Sequence, residues 1–297
     1  MTHFIQTLIS GLSLGSIYAL IALGYTMVYG IAKMLNFAHG DIIMIGGYVS
    51  FCSMYYLNLP PIVATLLAVI ACTVLGIVIE RLAYAPLRSA PSLAVLITAI
   101  GVSYFLQNSA LLIWKAAAKT YPPVVAGAVQ LFNGQLTISY ISLLTIAACI
   151  VIMLALTTFV SKSKMGKAMR ACSEDKSAAQ LMGIDSTRII QLAFVISGIL
   201  AGIAGVFLGI KYTLYPTLGS LVVKGFIASV IGGLGSLTGA VIGALLLRRK
   251  ARRAMAGAVL ALCVLCYAGE WRINRWTYGI DAETMQAASD LNDSLHE

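Results

Sequence analysis

The first apolar stretch of the chain is FIQTLISGLSLGSIYALIALGYTMVYGIA, from Phe4 to Ala32, and it carries no charge. About 20 apolar residues in a helix suffice to cross the hydrocarbon core of a bilayer, so this stretch is long enough. It is also too long for the core of a signal peptide, and Met1 to Gln6 lacks the basic region that precedes such a core. We therefore expect a membrane-spanning first helix and no cleaved leader.

The composition of the whole chain is that of a membrane protein. Of its 297 residues, 60% are hydrophobic and 10% are charged, whereas about 25% are charged in a typical soluble domain. The net charge of +9 arises from short basic clusters between apolar runs, a pattern that the positive-inside rule produces. Lipid is therefore the expected surrounding, and nucleic-acid binding is not expected.

Six uncharged runs reach the length of a membrane span or close to it. They are Phe4–Ala32, Ile62–Ile79, Ser89–Trp114, Tyr140–Ser161, Ile189–Ile210 and Gly225–Leu247. A shorter run, Ile42–Leu57, fits either a short span or a re-entrant segment. We therefore predict an all-α fold, a polytopic transmembrane helix bundle of about seven or eight spans that can include re-entrant or broken helices.

Proline and glycine mark the expected breaks between these helices. Pro60-Pro61 separates two runs, and Tyr215–Ser220 separates two others. The stretch Trp114–Ser139 is predicted to be an extramembrane loop with room for a short hairpin.

Basic clusters predict one orientation. The longest polar stretch, Lys162–Arg188, is expected in the cytoplasm because it is rich in lysine and arginine. Counting helices from it places Arg81, Arg88, Lys33 and the cluster Arg248–Arg253 on the same side. The N-terminus is then expected outside.

The cluster Arg248–Arg253 also ends a span at Leu247, because burying its five basic residues would cost more than about 12 kcal/mol. We therefore divide the chain into a membrane domain, residues 1–247, and an atypical C-terminal segment, residues 248–297. That segment combines the basic cluster, a short apolar run (Ala254–Ala268) and an acidic tail, and we expect it to be partly disordered.

Motifs for catalysis or metal binding are missing from the sequence. Gly166-Lys167 is followed by Ala168, so no Walker A motif is present, and the three histidines are far apart. The six cysteines lie mostly in apolar runs, where they are better read as small buried hydrophobic residues than as disulfides or ligands. We expect no catalytic site, no metal site and no ATP hydrolysis by this chain.

The string NFAHGD, Asn36 to Asp41, places an amide, an imidazole and a carboxylate between two apolar runs. Asn36, His39, Gly40 and Asp41 are candidates for a transport pathway or a helix break. The alternative is that this segment is structural or merely solvated.

The polar stretch 162–188 predicts a short amphipathic helix. Ser173 can cap it, Glu174 and Asp175 suit its first turn, and Gly183 can end it. An apolar side formed by Ala178, Ala179, Leu181 and Met182 suits docking into a groove on a partner. A solvated linker is the alternative.

Small residues at four-residue spacing occur in the apolar runs and favour close helix packing in lipid. They include Gly11, Gly15, Gly198, Gly202, Gly205, Gly209, Gly235, Gly239 and Gly243. A weak internal repeat links Ile9-Ser10-Gly11, Gly15 and Tyr25-Thr26 to Ile196-Ser197-Gly198, Gly202 and Tyr212-Thr213. Internal repeats are common in transporters.

Several motifs together resemble the branched-chain amino acid permeases of ATP-binding-cassette importers, and most of all the smaller of the two permease types. The strings that carry the resemblance are ISGLSLGSIYALIALGYTMVYGI (9–31), NFAHGD (36–41), SKMGKAMRACSED (163–175), LMGI (181–184) and ASVIGGLGSLTGAVIG (228–243). The resemblance covers residues 4–246 and ends near Leu247, which suggests a frameshift, a chimera or a divergent end.

The resemblance implies a multi-pass subunit of the bacterial inner membrane that imports leucine, isoleucine and valine. The implied partners are a second, related permease in a heterodimer, two cytoplasmic ATPase subunits that bind ATP and Mg²⁺, and a periplasmic binding protein. No cofactor is expected on this chain. The implied ATPase-coupling residues are Gly166, Arg170, Ser173, Glu174, Asp175, Leu181 and Gly183. The alternatives are a permease for urea or another small polar solute, and a membrane scaffold without transport.

Overall fold

The structure, a computed structural model, describes residues 2–34, 36–88, 90–121, 127–131 and 136–233, together with 236, 239–241 and 244. These residues form nine α-helices and one β-hairpin. The helices are α1 (Thr2–Ala32), α2 (His39–Tyr55), α3 (Pro61–Ile79), α4 (Ser92–Trp114), α5 (Tyr140–Lys162), α6 (Lys164–Glu174), α7 (Lys176–Leu181), α8 (Ser186–Lys211) and α9 (Gly219–Gly232). The fold is mostly helical, as predicted.

Five helices in the described part of the chain are long and apolar enough to cross a membrane. They are Ile9–Ala32, Pro61–Leu87, Leu93–Trp114, Tyr140–Lys162 and Ser186–Lys211. All five had been predicted from their uncharged runs. The second of them extends α3 through a π-helical turn (Glu80–Tyr84) and a 3₁₀ turn (Ala85–Leu87).

The bundle has central and peripheral helices. In the long spans, α1 and α8 are mostly buried, whereas α3, α4 and α5 expose most of their apolar side chains. The short helix α2 packs against α3, α8, α9 and α4 and is buried along most of its length. Exposed leucine and isoleucine side chains on these peripheral helices fit a lipid surrounding.

The two ends of the bundle are distinct. At one end, here called the outer end, strands β1 (Ala128–Leu131) and β2 (Leu136–Ser139) form the antiparallel hairpin expected in the loop after α4. At the opposite, inner end, α6 and α7 connect α5 to α8. The backbones of Lys119 and Leu214 pair at the outer end, which joins the loop after α4 to the segment between α8 and α9.

Basic residues from three parts of the sequence meet at the inner end. The Lys176 Nζ donates a hydrogen bond to the Ala32 carbonyl at 2.8 Å. Burial lowers the pKa of Lys176 from its ordinary value, and the positive charges of Arg88 and Lys33 lower it further. Lys33, Arg88 and Lys176 therefore lie at the same end of the bundle, whereas the cluster Arg248–Arg253 lies outside the described residues.

The predicted span Gly225–Leu247 is wrong as a continuous helix. Helix α9 begins six residues earlier, at Gly219, and ends at Gly232. Gly233 then takes a φ of +92°, which an L side chain rarely adopts and which ends the helix. Residues 239–241 are helical again. The two adjacent glycines therefore break this run inside the bundle.

The predicted Gly235 and Gly243 lie outside the described residues, as does the whole C-terminal segment, residues 248–297. The described helices all belong to one compact unit, Met1–Leu247.

Candidate functional site

Glycines allow the central helices to pack backbone against backbone. A Cβ added at Gly198 would lie 2.8 Å from the Thr73 Cα, and one at Gly202 would lie 2.6 Å from the Val69 Cα. Both partners are backbone atoms of α3, which cannot move aside as a flexible side chain can. One helical turn further on, Gly205 lies against the backbone of α2. The glycine stripe of α8 therefore sets the spacing to both α3 and α2.

The other predicted packing glycines have different surroundings. Gly15 is buried in α1, and Gly11 is half-buried there. Gly209 lies against the ring of Tyr121, and Gly239 lies against the backbone of Gly232, the last residue of α9.

The segment NFAHGD joins α1 to α2, and its three polar side chains are buried in contact with different helices. The Asn36 Oδ1 accepts a hydrogen bond from the Tyr84 hydroxyl at 2.9 Å. The His39 ring meets the ring of Tyr25 edge-on, with 4.8 Å between centroids, and its Nδ1 lies 3.1 Å from the Ser197 hydroxyl. The segment thus ties α2 to α1, to α8 and to the turn after α3.

Asp41 lies in the first turn of α2 and is 1% exposed. Its Oδ2 accepts a hydrogen bond from the Ser103 hydroxyl of α4, and Ser103 in turn accepts one from the Gln107 Nε2 at 3.2 Å. Its Oδ1 has no hydrogen-bond donor among the described residues. Gly40, beside it, is also buried. Burying an unpaired carboxylate oxygen costs free energy. An ionisable residue inside a membrane bundle is therefore a candidate functional residue.

Ser103 is the central residue of α4, which places the Asp41 carboxylate near half the depth of the bundle. Sequence reasoning missed Ser103, because an uncharged serine in an apolar run gives no signal. It also missed Gly219, although the break at Tyr215–Ser220 indicated that a helix begins nearby.

The predicted coupling residues lie at the inner end, in two helices instead of one. Ser163 caps α6 by accepting a hydrogen bond from the Gly166 N–H at 2.8 Å. Asp175 caps α7 by accepting from the N–H groups of Ser177 and Ala178 at 2.7 and 3.1 Å. The cap expected at Ser173 is therefore wrong, since Ser173 lies within α6 and Asp175, two residues later, caps α7 instead.

Ser173 and Glu174 end α6. The Ser173 hydroxyl donates to the Arg170 carbonyl at 2.7 Å, and Glu174 is exposed. Arg170 and Ser173 line a groove between α1, α5 and α6. Gly166 is buried against the carbonyls of the last turn of α5, so a side chain there would prevent the tight turn into α6.

Helix α7 ends in an exposed apolar pair. Leu181 is 89% exposed and Met182 is 83% exposed, although both are large hydrophobic side chains. Gly183 follows with a φ of +81° and ends the helix as predicted. Ala179 packs inward, so the apolar side is divided between the bundle and the surroundings.

The chain is similar to known permeases over most of its length. The profile of the family described as "Branched-chain amino acid transport system / permease component" matches residues 7–268, beyond the Leu247 at which we expected the resemblance to end. The chain is 44% identical to the high-affinity branched-chain amino acid transport system permease protein BraD of Pseudomonas aeruginosa, and the match covers 82% of this chain and 84% of that protein.

Two further relatives carry similar names. The chain is 43% identical to the high-affinity branched-chain amino acid transport system permease protein LivH of Escherichia coli, with the same coverage of 82% and 84%. It is 29% identical to a probable branched-chain amino acid transport permease protein LivH of Methanocaldococcus jannaschii, over 77% of this chain and 74% of that protein. No solved structure gives a significant match.

Proposed function

Because this chain belongs to the family of permease components of branched-chain amino acid transport systems, we propose that it translocates leucine, isoleucine and valine across the membrane. It is a multi-pass inner-membrane subunit of an ATP-binding-cassette importer and not an enzyme, and ATP hydrolysis belongs to partner ATPases. The proposed substrate rests on the 43% and 44% identity to two permeases named for high-affinity branched-chain amino acid transport.

The proposed topology has seven or eight crossings. Five are the long spans, and α2 and the broken run that begins with α9 supply two more. This count places the N-terminus outside, the hairpin outside, and α6 and α7 in the cytoplasm. An eighth crossing would fall within residues 254–268, outside the described part of the chain. We regard residues 1–247 as the membrane domain and 248–297 as a separate C-terminal segment.

The segment α6–α7 is proposed to dock on a cytoplasmic ATPase subunit. Its exposed Leu181 and Met182 would enter an apolar groove of that subunit, since large apolar side chains that protrude into water mark interaction sites. The hydrogen bond from Lys176 to Ala32 links α7 to the end of α1. A displacement of α7 by the ATPase would therefore be passed to the buried helix α1.

The proposed assembly contains this chain, a second related permease, two ATPase subunits and a periplasmic binding protein. ATP and Mg²⁺ would bind to the ATPase subunits, and no cofactor to this chain. Lipid and the second permease would share the exposed apolar faces of α3, α4 and α5.

Reconstitution tests the proposal. The chain is coexpressed with its paired permease, ATPases and binding protein, and uptake of radiolabelled leucine into proteoliposomes is measured with and without ATP. ATP-dependent leucine uptake is expected, and urea should neither be taken up nor compete. Uptake of urea in place of leucine would refute the proposed substrate.

The docking surface is tested with Leu181→Glu, and the neighbouring exposed residue provides a matched control, Gln180→Glu. Leu181→Glu should remove most of the copurifying ATPase and most of the uptake, because it places a charge in the proposed apolar groove. Gln180→Glu should retain both. Retention of ATPase and uptake by Leu181→Glu would contradict the docking surface but not the transport function.

A further inference from the structure

The two copies of the internal repeat run in opposite directions through the bundle. One copy is in α1 and the other in α8, and these buried helices pack against each other. The Lys211 Nζ, at the end of α8, donates to the Ser13 hydroxyl near the start of α1 at 2.6 Å. The Ser197 hydroxyl, in the first half of α8, donates to the Gly24 carbonyl at 3.2 Å. The repeat is therefore inverted with respect to the membrane.

Each of these two helices is followed by a break and then by a short helix, α2 after α1 and α9 after α8. The starts of the two short helices meet. Asp41 lies in the first turn of α2, and a Cβ added at Gly219, the first residue of α9, would overlap the Asp41 carboxylate. Inverted repeats whose discontinuous helices meet near the bilayer midplane are where transporters bind their substrates.

The starts of α2 and α9 are not capped by side chains. In contrast, α6, α7 and α8 are capped by Ser163, Asp175 and Asp185. The first amides of an uncapped helix carry partial positive charge and bind anionic groups. Helices α3, α4 and α5 also begin without a side-chain cap, and in α2 the His39 and Asp41 N–H groups donate to the Asn36 and Ala38 carbonyls. The start of α9 is therefore the uncapped helix start that lies next to Asp41 deep inside the bundle.

Asp41 supplies the opposite charge at the same point. Its Oδ1, which has no donor among the described residues, faces the start of α9, while its Oδ2 is held by Ser103. The other acidic residues of 1–247 are Glu80, Glu174, Asp175 and Asp185, and they lie at the inner end of the bundle. A carboxylate oxygen therefore faces the uncapped first turn of α9 near half-depth.

We infer that the junction of α2 and α9 binds the zwitterionic head of an amino acid during translocation. The ammonium group binds the Asp41 Oδ1, and the carboxylate binds the first amides of α9. In this structure Gly219 lies against the Asp41 carboxylate. Helix α9 therefore has to move away from α2 when an amino acid binds between them. Helix α9 packs on α1, and α1 contacts α7 through Lys176, which connects the site to the docking segment. This inference rests on the proposed function.

The test uses the complete complex with its ATPases and liganded binding protein in proteoliposomes, and it measures leucine transported per ATP hydrolysed. Asp41→Asn keeps the shape and removes the charge. A hydrogen bond to a charged group contributes about tenfold to a hundredfold in binding. Leucine transport should therefore fall at least about tenfold in Asp41→Asn, while ATPase activity stimulated by the binding protein stays within about twofold.

Gly219→Ala is the second variant, because its methyl group pushes the carboxylate out of place. It should also lower transport per ATP, and Asp41→Ala with Gly219→Ala should be no worse than Asp41→Ala alone. Gly101→Ala, on the face of α4 where nothing lies within 4 Å, is the control and should behave as wild type. If Asp41→Asn does not assemble, Ser103→Ala and Gly219→Ala decide the question.

Two results would overturn the inference. One is wild-type transport per ATP in Asp41→Asn or in Gly219→Ala. The other is a parallel loss of transport and ATPase activity in both, which indicates a purely structural role. Both leave the proposed function intact as long as the wild-type complex imports leucine, whereas a wild-type complex that does not import leucine refutes the proposed function itself.

Discussion

Replacing Gly202 by alanine places a methyl group where the backbone of α3 already lies. The added Cβ would be 2.6 Å from the Val69 Cα and 2.9 Å from the Val69 nitrogen, whereas ordinary contacts of a Cβ are 3.4–4 Å. Because both neighbours are backbone atoms, α3 and α8 would have to separate locally by about 1 Å to restore normal contact.

The cost of this separation follows from packing. Inserting a methyl group into a well-packed core costs about 1–3 kcal/mol, and membrane helices associate chiefly through such packing. Alanine recovers up to about 1 kcal/mol from its better helix propensity. Gly101→Ala gains that propensity without a clash, since nothing lies within 4 Å of its Cβ. Because both variants gain the propensity, it cancels, and their unfolding free energies should differ by the packing cost of about 1–3 kcal/mol.

Thermal unfolding of the purified protein, followed by the loss of the monodisperse peak in size-exclusion chromatography, measures this difference. One kcal/mol corresponds to about 2–4 °C in the midpoint for a domain of this size, so Gly202→Ala should unfold about 2–12 °C below Gly101→Ala. Equal midpoints for the two variants would refute the close contact between α3 and α8.

Three further predictions concern the ends of the bundle. Arg88→Ala leaves the fully buried Glu80 without its partner and should cost about 3–5 kcal/mol, seen as a loss of folded protein that Arg88→Ala with Glu80→Gln largely restores. Asp175→Ala removes the cap of α7 and should cost about 1 kcal/mol locally, detected as faster proteolysis within residues 176–183, and unchanged proteolysis would contradict the cap. Tyr121→Phe breaks the hydrogen bond to the Gly47 carbonyl and should cost about 0.5–1.5 kcal/mol in thermal unfolding, so a wild-type midpoint would show that this bond is not made.

Much of the bundle could be predicted from local features of the chain. The uncharged run from Ile62 to Ile79 became α3 within a residue, and Tyr140 began α5 as expected. Pro60-Pro61 marked the break before α3, and the structure places Pro61 at the first position of that helix, which proline suits. The break at Gly233 was the exception, since the run around it is apolar enough to span, but Gly233 takes a positive φ that ends the helix.

The candidate site could be predicted only in part. NFAHGD was visible because it interrupts apolar sequence with polar residues. Ser103, Gly219 and Ser197, which contact that segment, carry no charge and lie far from it in the chain, so their position next to it depends on packing.

The sequence by itself determined which segments are long and apolar enough to cross a membrane and where basic clusters separate them, because transfer of apolar runs and charges into lipid is a property of each segment alone. Tertiary structure alone decided that α1 and α8 are central, that the repeat is inverted, and that the starts of α2 and α9 meet at Asp41. Such pairings depend on contacts between residues far apart in sequence. Their energies come from backbone approach at glycines and from buried polar contacts, which no single stretch of sequence contains.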